Sequence, residues 1–419
     1  MLKNSRINII IGVLACLQCA LIAQNSTTSP YTRFGYGVIA DRSFGAGRSM
    51  GGIGYGLRSS KQINPMNPAS YSSMDSLTFL FDAGATLQYS LINDATSSHR
   101  NFNGNLMYLA MQFPLSPTIA MSAGILPYSH TGYNFKVINN DDDVSHADYF
   151  SGKGGLNEVY VGLSIDIWKK RLALGANIGY MFGIIEHRSN IIYGKSDVSP
   201  LYTLEKMSLQ NFKYELGAQY TQPISKTERM TLGLTYSPKI KFSSATYHAL
   251  SSNDLFYSGL LEADTIYNQG FDIPNAYGFG VSYEKDYKMI VAADVSWQEW
   301  TKTRFMGEKS TFSNRLKLAV GGEYIPNYFT RNNYLSRVRY RAGLNYSNSY
   351  IRVNDSGYKE YGASLGAGFP MIDNRSYINM SFEYVKVVPE IKSLIHEQYF
   401  RLTLSYTFNE FWFFKRKME

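Results

Sequence analysis

The stretch YFRLTLSYTF, residues 399–408, decides the fold class of this 419-residue chain. Its apolar side chains share one face of an extended strand: Leu402, Leu404, Tyr406 and Phe408. Its polar side chains share the other face: Arg401, Thr403, Ser405 and Thr407. Because successive side chains of a strand point to opposite faces, this strand suits lipid on one side and water on the other. The pattern predicts a transmembrane β-strand at the end of a barrel.

The same alternation recurs along the chain and predicts fourteen strands. They are residues 79–89, 104–113, 118–126, 156–167, 171–181, 212–220, 230–236, 277–283, 288–297, 315–324, 337–346, 360–369, 377–384 and 399–408. An even number of strands of about ten residues is what an antiparallel membrane barrel requires. The apolar and polar faces are least distinct in strands 104–113 and 118–126. We therefore expect an all-β protein, a fourteen-stranded antiparallel transmembrane β-barrel.

The connections between the predicted strands support this architecture. The short ones are residues 114–117, 168–170, 222–228, 284–287 and 370–375. The long ones are residues 128–155, 182–211, 237–276, 298–314 and 347–359. Short periplasmic turns that alternate with longer outer loops are typical of membrane barrels, whereas a soluble sandwich has no reason to sort its loops. Residues 325–336 are somewhat long for a periplasmic turn.

The first 23 residues have the features of a secretory signal peptide. Lys3 and Arg6 precede an apolar run, and the small residue Ala23 precedes Gln24. The two cysteines, at positions 16 and 19, both lie in this segment, in a poor arrangement for the alternative of a lipoprotein signal. A mature chain without cysteine has neither a disulfide nor a thiol site.

Residues 24–76 differ from the rest of the chain. They include FGYGVIADRSFGAGRSMGGIGYG at positions 34–56, which is rich in glycine and shows no sustained alternation. The glycines at 52, 54 and 56 lack the strand and helix of a dinucleotide-binding motif. A fourteen-stranded barrel is wide enough that its lumen is either filled or a pore. We expect residues 24–76 to be an N-terminal plug, residues 77–408 the barrel and residues 409–419 a periplasmic tail.

The N-terminal segment also carries a family resemblance. GAGRSMGGIGYGL (45–57), followed by Asn67, Pro68 and Ala69, resembles the hatch and the NPA motif of the FadL/TodX family of outer-membrane long-chain fatty-acid transporters. Later stretches are similar to strands of that family in the same order: DIPNAYGFGVSY (272–283), DVSWQEWTKTRF (294–305), YRAGLNYSNS (340–349) and YGASLGAGF (361–369). The resemblance implies a plugged fourteen-stranded barrel whose outer loops capture hydrophobic ligands. It also implies that Asn67, Pro68 and Ala69 lie where hatch and barrel meet.

Two groups of residues are candidates for ligand binding. An apolar cluster interrupts an otherwise polar outer loop, and it could line a groove or pack on itself: Leu250, Leu255, Phe256, Leu260 and Leu261. On the predicted strand 337–346, Arg339 and Arg341 face the lumen beside Gly321 and Ala319. Their guanidinium groups could hold an anionic headgroup. The alternative is that the arginines solvate the wall or pair with acids of the plug, such as Asp41 or Asp75.

The four tryptophans are predicted at strand ends, where indole rings meet the membrane–water boundary; core packing is the alternative. They are Trp168, Trp297, Trp300 and Trp412. No metal or catalytic motif emerges from the rest of the sequence. The acids at 141–143 begin a run that departs from a calcium loop, and the six histidines have no ligand spacing. We expect no cofactor, no metal and no enzyme activity.

These observations predict an outer-membrane channel of a Gram-negative bacterium that takes up hydrophobic small molecules such as long-chain fatty acids. The alternative is a non-transporting barrel subunit or docking partner in an outer-membrane secretion or assembly complex, which the polar outer loops favour. Without Lys3 and Arg6 of the signal peptide, Lys+Arg falls from 41 to 39 against 33 Asp+Glu, and the resulting net charge of +6 suits contact with lipid headgroups and lipopolysaccharide. No motif indicates nucleic-acid binding. The expected partners are membrane lipid, lipopolysaccharide, a hydrophobic ligand and, in the alternative, another outer-membrane protein.

Overall fold

Fourteen antiparallel strands form the wall of a barrel in the computed structural model of the chain. The structure describes residues 27–93, 98–139, 145–168, 171–194, 198–254, 259–330, 333–371, 375–391 and 394–411. The barrel strands are β1 (Thr78–Asn93), β2 (Ser98–Pro114), β3 (Ile119–Asn139), β4 (His146–Ile167), β5 (Leu172–Tyr193), β6 (Leu201–Pro223), β7 (Glu228–Ser237), β8 (Ala276–Lys285), β9 (Met289–Gln298), β10 (Arg315–Tyr324), β11 (Arg339–Asn348), β12 (Tyr358–Pro370), β13 (Tyr377–Pro389) and β14 (His396–Phe411).

The first and last strands close the sheet. β1 pairs with β14 along its whole length, from Thr78 opposite Phe411 to Asn93 opposite His396. Along β14 the side chain of Leu404 is exposed, whereas those of Thr403 and Ser405 are buried. Apolar residues therefore face outward and polar residues inward. The prediction of a closed fourteen-stranded antiparallel barrel is confirmed.

Several strands extend beyond their predicted ends. β3, β4, β5 and β6 continue through most of residues 128–155 and 182–211, which were predicted as loops. β14 ends at Phe411 rather than at residue 408. Beyond the membrane both faces of a strand meet water, so the alternation that marks a lipid-facing strand is lost there. The end of the barrel that holds these extensions is called the loop end, and the opposite end, where β1 starts, the terminal end.

Shorter elements complete the fold. The short strands are Val38–Ile39, Ile240–Lys241, Ser243–Ser251, Leu260–Tyr267, Asp272–Ile273, Arg304–Phe305 and Glu308–Lys309. One short α-helix, Gly45–Ser49, accompanies 3-10 helices at Pro30–Arg33, Pro68–Ser73, Trp300–Lys302 and Leu335–Arg337 in the described residues. None of the helices in this part of the chain has the length and apolar character needed to cross a membrane.

The segment before β1, residues 27–77, lies inside the barrel and is called the hatch. Its backbone and side chains contact inward-facing residues of strands on several sides of the lumen, among them β4, β6, β9, β10 and β13. At the loop end it joins a buried aromatic cluster formed by Tyr36, Phe271, Trp300, Phe305, Phe312 and Tyr350. The core of the molecule therefore sits between the hatch and the wall.

The tryptophans divide between the predicted boundary and the core. Trp168 and Trp297 are 58% and 39% exposed at strand ends, as expected for the membrane–water boundary. Trp300 is fully buried, so its predicted boundary position is wrong. The chain turns inward in the helix Trp300–Lys302, and the indole stacks on Tyr350 at 4.3 Å between ring centroids. Trp412 lies outside the described residues.

Candidate functional site: the hatch and the lumen

Four charged hatch residues form ion pairs with four different wall strands. The pairs are Asp41–Lys317 on β10 (2.8 Å), Arg42–Glu215 on β6 (2.9 Å), Arg48–Glu383 on β13 (3.3 Å) and Arg58–Asp166 on β4. Removing one partner of a buried pair leaves an uncompensated charge, which costs about 3–5 kcal/mol. These pairs hold the hatch in one position within the lumen.

Asp41 and Lys61 are among the charged hatch residues whose pKa values are shifted. Burial alone would raise the pKa of Asp41, but the neighbouring cations Lys317 and Arg48 outweigh it and hold that pKa below the ordinary 3.8. Burial lowers the pKa of Lys61 from the ordinary 10.5, with Tyr377 acting in the opposite direction. Asp41 is therefore ionised at neutral pH and available to pair with Lys317.

Backbone groups of the hatch bind the wall directly as well. The Oδ2 atom of Asp294 in β9 accepts hydrogen bonds from the backbone nitrogens of Gly54 at 2.6 Å and Tyr55 at 2.8 Å. The backbone of the hatch also comes close to β10 and β11. This contact depends on two glycines that lie opposite each other in those strands. A Cβ atom on Gly321 or Gly343 would lie 2.2 Å or 2.1 Å from backbone atoms of Met50.

The NPA motif is a part of the hatch that contacts strands β4 to β6. The side chain of Asn67 accepts a hydrogen bond from the nitrogen of Ala69 (3.1 Å) and donates to the carbonyl oxygen of Ala218 in β6 (3.3 Å). Pro68 packs on Gly175 and Gly217, which are opposite each other in β5 and β6. The motif therefore joins the two parts of the molecule.

The predicted register between β10 and β11 is wrong by four residues, so Arg339 and Arg341 have other neighbours than expected. Arg341 lies opposite Glu323, whereas Gly321 and Ala319 lie opposite Gly343 and Asn345. The cause is the connection from β10 to β11, which contains the helix Leu335–Arg337 and delays the start of β11 to Arg339. Sequence alternation fixes the face of a strand but not the length of its turn.

Arg339 and Arg341 share one carboxylate. Glu323 accepts from Arg339 Nη1 at 2.6 Å and from Arg341 Nε at 2.7 Å. Arg341 also donates to Asn379 at 2.8 Å. Because Glu323 and Asn379 belong to the wall, neither of the expected hatch acids Asp41 and Asp75 is needed as a partner. A role for Arg339 and Arg341 in binding an anionic headgroup stays a prediction, and this geometry gives them a structural role without a ligand.

The apolar cluster of the loop does not form a groove in the described residues. Leu260 and Leu261 are consecutive in the strand Leu260–Tyr267, so their side chains point to opposite faces. Both are exposed, Leu261 by 62%. Leu255 and Phe256 lie outside the described residues. Their predicted part in ligand capture is therefore an untested expectation.

The lumen encloses a charged cavity of about 190 Å³. Charged residues line it on several sides, among them Arg42, Arg48, Lys213, Glu215, Glu383 and Arg401. Sites for small organic ligands usually measure about 300–1,000 Å³ and are mostly apolar. This cavity is both smaller and more polar than an acyl chain requires.

A gap separates β2 from β3 in the loop half of the barrel. The two strands pair only between residues 109–114 and 120–125, and beyond this β3 is bulged between Pro127 and Ser129. A cavity of about 1040 Å³ opens there, lined by residues of β2 to β6 and of the short strands Ser243–Ser251 and Leu260–Tyr267. The hatch strand Val38–Ile39 pairs with Ser129 and His130 on the edge of β3. The only sequence signal for this gap is the weak alternation in residues 104–113 and 118–126.

The part of the hatch around Tyr36 is held in the aromatic cluster by hydrogen bonds. The nitrogen of Tyr36 donates to the Tyr350 hydroxyl at 3.0 Å, and that hydroxyl donates to the Gly37 carbonyl at 2.6 Å. The Tyr36 hydroxyl donates to the carbonyl oxygen of Asp272 at 3.1 Å. Sequence reasoning missed this cluster because its members are scattered singly over the hatch and three loops.

The closed wall of fourteen antiparallel strands, with residues 27–77 in contact with its inward-facing side chains, has the FadL/TodX fold. More particularly, the chain belongs to the BamG family, whose model matches residues 1–419. No curated protein matches the sequence significantly.

Solved structures share the fold at low sequence identity. A FadL homologue from Pseudomonas aeruginosa is 15% identical, with 89% of this chain and 99% of that chain covered and a TM-score of 0.60. The toluene transporter TbuX from Ralstonia pickettii is 15% identical, with coverages of 88% and 98% and a TM-score of 0.58. The toluene transporter TodX from P. putida is 12% identical, with coverages of 90% and 100% and a TM-score of 0.57.

Proposed function

We propose that this chain is a closed barrel that serves as a subunit of an assembly or secretion complex in the outer membrane of a Gram-negative bacterium. The observation that carries the proposal is the filled lumen. The hatch is held by four ion pairs to four wall strands, and its end is buried in the aromatic cluster. A barrel built in this way presents a stable surface to partners and leaves little space for a passing molecule.

The energetics of opening favour the same conclusion. Moving the hatch as a body would separate several buried ion pairs. A buried charge that is left without its partner costs about 3–5 kcal/mol. Reversing a closed-to-open equilibrium of 99:1 requires about 5.5 kcal/mol of differential binding. A small ligand in a charged cavity of about 190 Å³ is a weak source of such energy.

The strands β3 to β6 also support a role in a complex, because they continue beyond the predicted membrane region and extend the sheet at the loop end. Extended sheets of this kind provide surfaces for other proteins without any need for transport.

The size of the native particle tests this proposal. Membranes would be solubilised in mild detergent, and the mass of the particle that contains this chain measured by native electrophoresis and light scattering. We expect a particle much heavier than the 47.4 kDa chain and its micelle, with partners in fixed stoichiometry. A chain that runs alone, while other membrane complexes in the same extract stay intact, would contradict the proposal.

Uptake of hydrophobic small molecules such as long-chain fatty acids is the second candidate function. The gap between β2 and β3 favours it, because the cavity of about 1040 Å³ there is large enough for a small organic ligand, whose sites usually measure about 300–1,000 Å³. The similar structures include transporters and channels for toluene and monoaromatic hydrocarbons. Binding of radiolabelled oleate to the purified chain discriminates the two functions. Saturable binding would favour uptake, and its absence is expected for the complex subunit.

A further inference from the structure

A hairpin outside the barrel wall has one free strand edge. Ser243–Ser251 pairs with β6 on one side and with Leu260–Tyr267 on the other. Leu260–Tyr267, called the edge strand, forms no second strand pairing within the part of the chain that the structure describes. The unpaired backbone groups of such an edge can hydrogen-bond to an added strand.

The ladder shows which backbone groups face outward. The nitrogen of Asn268 donates to the carbonyl oxygen of Ser244 at 2.8 Å, in register with the hairpin. Hydrogen-bonded and non-bonded pairs alternate along an antiparallel ladder. Counting from this bond, Ala263 and Thr265 direct their N–H and C=O groups away from the hairpin. The Thr265 N–H is occupied by the Asp264 carboxylate at 2.7 Å, so Ala263 is the position to test.

The charge of the hairpin selects its partner. Residues 243–270 contain Asp254, Glu262 and Asp264 but no Lys or Arg, in a chain whose net charge is +8. Glu262 and Asp264 lie in the middle of the edge strand and are exposed. These acids repel anionic lipid headgroups, and they disfavour pairing with a second copy of the same acidic strand. Lysine or arginine side chains on an added strand would lie beside them favourably.

Apolar side chains flank the acids on both faces. Leu261 and Tyr267 are 62% and 72% exposed on one face, and Leu260 and Ile266 are exposed on the other. An added strand would cover these side chains, which otherwise remain in water. The edge strand thus offers backbone bonds, two acids and apolar ends to one extended segment.

We propose that Leu260–Tyr267 is a docking site for an extended, basic segment of a partner protein, which adds to the hairpin as a further strand. The proposal deepens the proposed function, on which it rests, by naming a contact surface of the complex. It applies to the hairpin alone and needs no movement of the hatch.

Peptide binding to the full chain in detergent micelles tests the proposal. The probes are two fluorescent nine-residue peptides, one alternating threonine with lysine and the other threonine with glutamate. Ala263→Pro removes the outward N–H and should weaken binding of the lysine peptide by about tenfold or more, since it blocks edge pairing. Ala263→Thr keeps that N–H and is the matched control, with affinity expected near wild type. Reversing Glu262 and Asp264 to lysine should transfer the preference to the glutamate peptide.

Each outcome decides a different point. Equal binding to wild type and Ala263→Pro would show contact by charge alone and overturn strand addition. Dimers of the wild-type chain that disappear in Ala263→Pro would assign the edge to a second copy and also overturn the proposal. The native particle is measured separately. If peptide binding fails but the chain still runs in a large complex, the edge strand is excluded and the proposed function stands.

Discussion

The Oδ2 atom of Asp294 in the wall lies 2.6 Å from the backbone nitrogen of Gly54 in the hatch. The same oxygen also accepts from the nitrogen of Tyr55. One carboxylate on β9 thus fixes the direction in which the hatch crosses the lumen. Asp294 and Gly54 are 240 positions apart in the sequence, so this bond joins the N-terminal hatch to a distant strand of the wall.

Asp294→Ala should loosen the hatch without opening the wall. The substitution leaves two buried N–H groups without an acceptor, and hydrogen bonds to a charged group contribute about 1.5–3 kcal/mol each. We expect faster proteolysis of the hatch in the folded barrel, measured by mass spectrometry of the fragments. Asp254→Ala, at an exposed position of the hairpin, is the control and should behave as wild type.

Gly321→Ala should displace the hatch by steric conflict. The added methyl group would lie 2.2 Å from the carbonyl oxygen of Met50, and overpacking of this kind costs about 1–3 kcal/mol. The free energy of unfolding in guanidinium chloride should fall accordingly. Gly104→Ala is the control, because a Cβ atom there meets only the flexible end of Leu87 at 3.3 Å. An equal loss in both variants would refute the close contact with Met50.

Arg341 and Glu323 should show strong energetic coupling. Removing Arg341 leaves Glu323 with only Arg339, and loss of one partner of a buried pair costs about 3–5 kcal/mol. The double variant Arg341→Ala, Glu323→Gln should lose less stability than the two single variants added together, because each substitution removes the same ion pair. A double-mutant cycle of unfolding free energies measures the coupling. Additive effects would show that the two side chains do not interact.

Leu404→Arg should destabilise the barrel from its lipid face. The side chain of Leu404 is 49% exposed on β14, and arginine near the middle of a bilayer costs about 2–4 kcal/mol in a membrane barrel. Ile224→Arg, in the turn between β6 and β7, is the control and should cost about 0–1 kcal/mol near the interface. Heat-modifiable gel mobility and unfolding in lipid vesicles report both effects. Equal stability of the two variants would place Leu404 outside the membrane.

The sequence alone predicts the strands that meet lipid and misses those that do not. The predicted strand 315–324 coincides with β10, because its apolar and polar residues alternate up to the ends of the strand. β4 to β6 are longer than predicted. Both faces of their outer parts contact water, so these parts lack the alternation of apolar and polar residues. The hairpin Ser243–Ser251 and Leu260–Tyr267 was missed for the same reason.

The candidate site was less predictable, because it depends on register and on contacts between distant residues. Arg339 and Arg341 were correctly placed on the predicted strand, but their partner Glu323 depends on the length of one turn. Tryptophan is a residue type that is typical of the membrane–water boundary. Trp300 is instead a core residue, because its loop folds inward. No periodic pattern in the sequence predicts which residues of the hatch bond to which residues of the wall.

The conductance of single barrels in planar bilayers tests most directly whether the hatch closes the lumen. The full chain would be compared with a variant that lacks residues 24–73, and heat-modifiability would show that both barrels fold. A closed lumen predicts almost no steady ionic current through the full chain and a large current through the variant, because the hatch and its ion pairs are gone. Equal currents through the two barrels would contradict the account.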